Sequence, residues 1–484
     1  MLYKGSLKNT KNSRCLCASV VNSHPATRSN YVIVGNSAAA VGAIESIRRI
    51  DRDGDINVVS DEKHHVYSRP LIAHYLAGEV QEERMAYRPA DFYERHNVET
   101  RLGLNVTRID ADGQNLILDD GSTLHYHRLL ISTGSKAMKP PLRGSDLEGV
   151  GIFQTYDDAR QIVSRFATDT KAVVIGAGLI GLRAAYGLQE RGAEVTIVEL
   201  LPRVLSRVLD VQGSHMVQGI LEKGGIRVLT GRSVAEITGG NGEVWGLVLD
   251  DGETLECRIV IMATGVVPNV DLVKDSGIKV NRGIPVNQFF QTNVSNIFAA
   301  GDVAETFDIP RAGGMVNANW PNAHEQGRYA GLCMAGKMVE YPGSLGMNAV
   351  SLYNVPIVSL GIFDPESEGI GGVEVKIRAN LEQNIYQKLV FKDNRLKGAI
   401  FIGDLGYCGA VKDLIKEQSL VGIIKDSILE EKYQLYAFLR KKRQEKVEGK
   451  DIEWPETYTS TQRYQKSFNE ERWTERERNK RPWH

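Results

Sequence analysis

Two glycine-rich turns, each set between an apolar strand and a helix, and a later run of short alternating strands predict an α/β chain. Its expected parts are two Rossmann-like nucleotide-binding domains, a C-terminal α+β domain and an extended C-terminal tail. The chain has 484 residues, and at roughly 100 to 200 residues per domain that length calls for about three domains. The expected boundaries are 1–28 for a leading tail, 29–148 with 270–338 for a discontinuous first domain, 149–269 for the second, 339–430 for the third and 431–484 for the closing tail.

Residues 1–28 hold Lys, Arg, Ser and Asn without an acid, and read either as a tail or as a transit-like leader. Order begins at Asn30, where YVIVG reads as a buried parallel strand and SAAAVGAIESIRR as the helix after it. The following strand INVVS leads to Glu62, which is placed to receive a ribose. Turn signals at Asp112-Gly113 and Asp120-Gly121 predict hairpins before the strand RLLIST. The first turn, Gly35-Asn-Ser37-Ala-Ala-Ala40, is degenerate, with Ala40 where a third glycine allows close helix packing.

From Lys171 the pattern returns as KAVVIGAGLIG, the helix LRAAYGLQERG and the strand EVTIVE. Gly176 permits the tight turn, Gly178 lets backbone approach a pyrophosphate, and Gly181 allows close helix packing. Leu179 and Ile180 open the helix whose N-terminal N–H groups face the phosphates. Glu199 ends the next strand, where an acid accepts from a ribose diol and repels a 2′-phosphate, favouring NADH over NADPH. Arg203 and Arg207 follow closely and leave tolerance of NADPH open. Strands near Arg258–Ala263 and Asn296–Ala300 are expected to return the chain to the first domain. VSLYNVPIVSLG and YQKLVFKDNRLKGAIFIGD, the latter split by an Asp393-Asn394 turn, predict the α+β domain.

Composition excludes several classes. Lys+Arg (59) and Asp+Glu (60) nearly cancel, so neither nucleic acid nor an anionic membrane surface is suggested. No apolar run approaches the ~18 residues of a membrane span. The five cysteines make no disulfide framework and no metal or iron–sulfur spacing, which fits a reducing cytoplasm. Beyond Glu430 the chain is densely charged yet carries Trp454, Trp473 and Trp483. Such an arm wraps its own body or a second copy, or docks onto another subunit.

The order of the two cores, Tyr67-Ser-Arg-Pro70, Ser132-Thr133-Gly134, Ala263-Thr264-Gly265 and Ala300-Gly301-Asp302 together resemble the pyridine nucleotide-disulfide oxidoreductase superfamily over roughly residues 30–410. The resemblance implies FAD in the first core and NAD(H) in the second. It places Gly35, Ser37, Ala38 and Ala39 on the FAD pyrophosphate, Glu62 on the adenosine ribose, Arg69 and Pro70 along the flavin, and Val106 at the adenine. Thr133 and Gly134 close the crossing between cores, Asp302 takes the ribityl chain, Gly301 before it spares side-chain bulk near the phosphate, and Gly265 is a further cofactor-binding position. A plain helix cap is the other reading of Asp302.

The departures say more. Disulfide reductases of the superfamily carry a redox cysteine soon after the first helix, and this chain has Tyr67, Ser68 and Arg69 there. It therefore resembles the branch of rubredoxin, ferredoxin and nitrite reductase flavoproteins, in which electrons leave the flavin directly. That branch commonly pairs a lysine after Arg-Pro with a glutamate after the NAD motif. Here the positions are His74 and Arg183. They read as one rewired catalytic contact near the nicotinamide, or His74 reads as a packing histidine. The implied activity is FAD-dependent NAD(P)H:acceptor oxidoreduction with an iron–sulfur partner, as a subunit of a homo- or hetero-oligomer. Flavoprotein subunits of anaerobic aldehyde and phenylglyoxylate oxidoreductases resemble it. A free-standing NADH oxidase or NADH:rubredoxin reductase is the alternative, and an FAD-binding scaffold or redox sensor a third.

Overall fold

The computed structural model describes residues 28–429 and 432–447, except residue 168. The apolar run Asn30–Val34 is the centre of a parallel sheet ordered Ile297–Ala299, Arg128–Ile131, Asn30–Val34, Asp55–Ser60, Val98–Leu102. Both faces are covered, so the strand needs no alternation, and Val32 and Ile33 are fully buried. Strand Ile297–Ala299 comes from far along the chain. It re-enters this sheet because it pairs in register with Leu129–Ile131.

Lys171–Ile175 centres a second parallel sheet, ordered Arg227–Thr230, Glu194–Glu199, Lys171–Ile175, Ile259–Met262, Val150–Ile152. Ile259–Met262 thus closes the second sheet and does not return to the first, which corrects that expectation. It pairs parallel with Ala172–Ile175 and is buried along its whole length. The chain crosses between the cores twice, on a ribbon in which Ser135–Ala137 and Val266–Pro268 pair antiparallel.

The third unit is a five-stranded antiparallel sheet, Met347–Leu352, Val355–Gly361, Arg395–Ile402, Ile385–Lys392, Glu374–Asn380. Asp393 and Asn394 both adopt positive φ, 50° and 55°, as a two-residue hairpin turn of the right twist requires. The charged stretch after Glu430 includes a helix, Lys432–Val447, whose Leu435 is fully buried against the third unit. Trp454, Trp473 and Trp483 lie outside the described residues.

The helix Ala38–Ile50 is clasped by a second helix, Trp320–Met334. Glycines make the approach possible. A Cβ on Gly327 would collide with the Ala39 carbonyl, and one on Gly42 with the His324 carbonyl. No described helix is long and apolar enough to cross a membrane.

Candidate functional site

The two glycine turns are built alike. Gly35 has φ +107° and Gly176 +108°, a region closed to residues with a Cβ. Each N–H ties its turn to the neighbouring strand, Gly35 to Val59 O at 2.8 Å and Gly176 to Val198 O at 2.7 Å. A Cβ would collide with Ser132 O in the first turn and Ala263 O in the second. Helices Ala38–Ile50 and Leu179–Glu190 then start with no side-chain cap. Their first N–H groups stay available to an anion.

Above the first turn opens a cavity of about 610 Å³, a size suited to a cofactor. Gly35, Ser37, Ala38, Ala39, Glu62, Arg69, Pro70, Val106, Thr133, Gly134, Gly301 and Asp302 all line it. The same cavity takes in His74, Arg183, Leu179 and Ile180, so the start of the second core's helix faces the first core's site. Gly176, Gly178, Gly181, Glu199 and Gly265 are outside that lining. The first four build the second turn, and Gly265, at φ +111°, begins the crossing ribbon.

Asp302 is partly buried on the wall of the cavity. Its Oδ2 accepts from Ser135 Oγ at 3.1 Å, and burial raises its carboxyl above the ordinary range against the pull of that bond and of Arg69. No described helix begins at Asp302, so the helix-cap reading does not hold, and its carboxylate lines the cavity. Gly301 N donates to Gln326 Oε1 at 2.8 Å, and Gln326 in turn reaches Ser344 Oγ at 3.2 Å, so a buried chain fixes the Gly301-Asp302 turn. Glu62 is held by Arg69 and by Tyr67 Oη at 2.5 Å. Arg69 also donates to Gln154 O at 3.0 Å. The Arg-Pro segment and Glu62 therefore form one unit.

His74 and Arg183 meet. Arg183 donates to His74 Nε2 at 2.9 Å, while Nδ1 faces Glu79 Oε2 at 2.5 Å. An arginine only donates, so Nε2 accepts and Nδ1 carries the proton toward Glu79. Arg183 further donates to Ser351 O at 3.2 Å, and burial lowers its pKa. In the second core, Ala177 N and Leu201 N donate to the Glu199 carboxylate at 2.5 and 2.8 Å.

Thiols take no part among the described residues. Cys257, Cys333 and Cys408 are free, and none lines the cavity. Burial pushes Cys257 up to about 12 and Cys408 to about 11, so neither is a thiolate at neutral pH. No group of His, Cys, Asp and Glu among the described residues has the arrangement to hold a metal.

Sequence reasoning missed Asn36, Gln154, Trp320 and the Ala349–Ser351 segment, all of which line the cavity. It also missed Glu79 and Gln326. These come from separate parts of the chain, and only Glu79, within a helical turn or so of His74, left a local signal.

Residues 29–327 match the family model for pyridine nucleotide-disulphide oxidoreductases. The chain belongs to this family. Residues 347–419 match the rubredoxin NAD+ reductase C-terminal domain. The chain is similar to the assimilatory nitrate reductase electron transfer subunit of Bacillus subtilis, 31% identical over 83% of this chain and 51% of that protein. It is 33% identical to the NADH-dependent phenylglyoxylate dehydrogenase subunit epsilon of Aromatoleum evansii, over 80% of this chain and 91% of that one. Among solved structures, a covalent putidaredoxin reductase–putidaredoxin complex includes a chain with TM-score 0.76 and 26% identity, covering 81% and 94%. The chain thus spans about half the length of the Bacillus relative and nearly all of the Aromatoleum one. As a member of the family it is an oxidoreductase with FAD and NAD(H) as cofactors, and the cavity-lining Asp302, the uncapped helix starts and the glycine-initiated turns fit them.

Proposed function

We propose that this chain moves electrons between NAD(H) and an iron–sulfur or other redox protein through FAD, as the flavoprotein subunit of a larger cytoplasmic oxidoreductase. One observation carries the reading: a single cavity holds both the first glycine turn and the start of the second core's helix, with no described cysteine on its wall. FAD, when bound, supplies the exchange between a two-electron hydride donor and single-electron carriers.

The chain's own residues bind and orient. Gly35 and Ser37 to Ala39 cradle the pyrophosphate, Glu62 takes the ribose, and Val106 flanks the adenine. Thr133 and Gly134 close the crossing, Asp302 accepts from the ribityl chain, and Arg69 with Pro70 lies along the flavin. Gly176, Gly178, Leu179, Ile180, Gly181 and Glu199 hold NADH, and Gly265 lets the crossing ribbon pass between the two nucleotides. His74 and Arg183 position the nicotinamide carboxamide. The names of the two relatives above, one an electron transfer subunit and one a dehydrogenase subunit, support placement in a complex.

The test is NADH-driven turnover of the purified chain with oxygen, a dye, rubredoxin and a ferredoxin. Fast transfer to the dye or an iron–sulfur protein with slow oxygen turnover is expected. Oxygen turnover at the same speed would make the chain a free-standing oxidase and contradict the proposal.

A further inference from the structure

Two arginines flank Glu199, and both are committed to acids. The loop after Glu199 folds back on the second glycine turn. Ala177 N donates to the Glu199 carboxylate at 2.5 Å, and Leu205 N donates to Ala177 O at 2.9 Å. Arg203 rides on this fastened loop, two residues before the Leu205 N–H that ties it to the turn. Beside Gly178 a Cβ would meet nothing within 4 Å, so the rim of the turn opens onto free space.

The Arg203 guanidinium is engaged by Asp364 of the C-terminal unit at 3.1 Å, with side chains only 20% and 12% exposed. The second arginine, Arg232, donates its backbone N–H to Glu199 O at 3.0 Å. Its guanidinium is ringed by Asp250, Asp251 and Glu253. A 2′-phosphate needs an arginine to offset its charge. Here it would meet the side chain of Glu199, whose two neighbouring arginines already serve other carboxylates.

We infer that Asp364, on a different domain from the nucleotide turn, sets the coenzyme choice by withholding Arg203 from a 2′-phosphate. This rests on the reading of the second core as the NAD(H) site. Asp364 is a positioning residue. Its loss leaves a poorly solvated guanidinium beside the rim in need of an anion, and a 2′-phosphate supplies one.

The test is calorimetric binding of 2′,5′-ADP and of 5′-AMP, which differ only by the 2′-phosphate, to the full-length holoprotein. Asp364→Asn is expected to raise the affinity ratio of 2′,5′-ADP to 5′-AMP about tenfold, the size of one charge-assisted hydrogen bond. Adding Arg203→Leu should return it to the starting value. An unchanged ratio in Asp364→Asn, or a gain that survives Arg203→Leu and falls only with Arg207→Ala, would overturn the inference. Arg203→Leu alone needs no change at Asp364. It is expected to leave the ratio as it was, and a lower ratio would mean that Arg203 already serves a phosphate. Failure of 5′-AMP to bind at all would overturn the nucleotide-site reading itself, and the inference with it.

Discussion

The two glycine turns match in φ, in their tether to the neighbouring strand and in the close backbone carbonyl that excludes a Cβ, yet they secure their helices by different means. In the second, the close contact is internal, because a Cβ on Gly181 would run into the carbonyl of Gly176, the residue that directly follows the strand Lys171–Ile175. In the first, Ala40 stands at the matching place, and the close contact has moved to the helix's outer side. There Gly42, Gly327 and Gly331 let Ala38–Ile50 meet Trp320–Met334 backbone to backbone. A short motif is legible in sequence when its constraint is local. When the constraint sits on a partner helix elsewhere in the chain, the motif reads as degenerate although the geometry is the same.

The largest effect that sharpens this contrast is expected at Gly327. Gly327→Val pushes two helices apart and should cost about 3 kcal/mol or more, seen as loss of retained FAD and a lower melting temperature. Retention of FAD with unchanged melting would break the comparison. Gly181→Ala should cost about 1–3 kcal/mol by the same overpacking, whereas Gly178→Ala, which meets no protein atom, should leave melting unchanged and raise the KM for NADH. Melting curves of the apoprotein separate the two.

At Asp302 the expected effect falls on the ligand. Asp302→Asn should weaken FAD about 10- to 100-fold, the worth of one or two hydrogen bonds to a charged acceptor, measured by flavin release. Burial raises the Asp302 carboxyl, so its ionised form costs the apoprotein stability at neutral pH. That cost disappears as pH falls through the raised value toward the ordinary carboxylate range. The wild-type apoprotein should therefore lose less stability on mild acidification than Asp302→Asn, which is expected to melt no lower at pH 7. A lower melting point for the variant at pH 7 would contradict this sign.

The smallest expected effect is at His74 and Arg183. In a double-mutant cycle with alanine, flavin reduction by NADH should show a coupling of about 1 kcal/mol, because each side chain fixes the other. Strict additivity would return His74 to an ordinary packing role.

The second core was legible because strand, turn, helix and acid stand in chain order at Lys171–Glu199. The antiparallel C-terminal sheet was legible from alternation and the Asp393-Asn394 turn. The assignment of Ile259–Met262 was not, since an evenly apolar strand suits either parallel sheet and only pairing decides. Nor could sequence show that Glu62 is clamped by Tyr67 and Arg69, that Gln326 pins Gly301, or that Arg203 answers to Asp364. Each of these joins side chains whose nearness exists only after folding.

The central claim is that electrons pass directly between the two nucleotides and out, without a thiol relay. Anaerobic reductive titration of the holoprotein tests it most directly. Uptake of two electrons per FAD is expected, with complete flavin bleaching at that point. Uptake of four, with a thiolate-to-flavin absorbance band appearing midway, would contradict it.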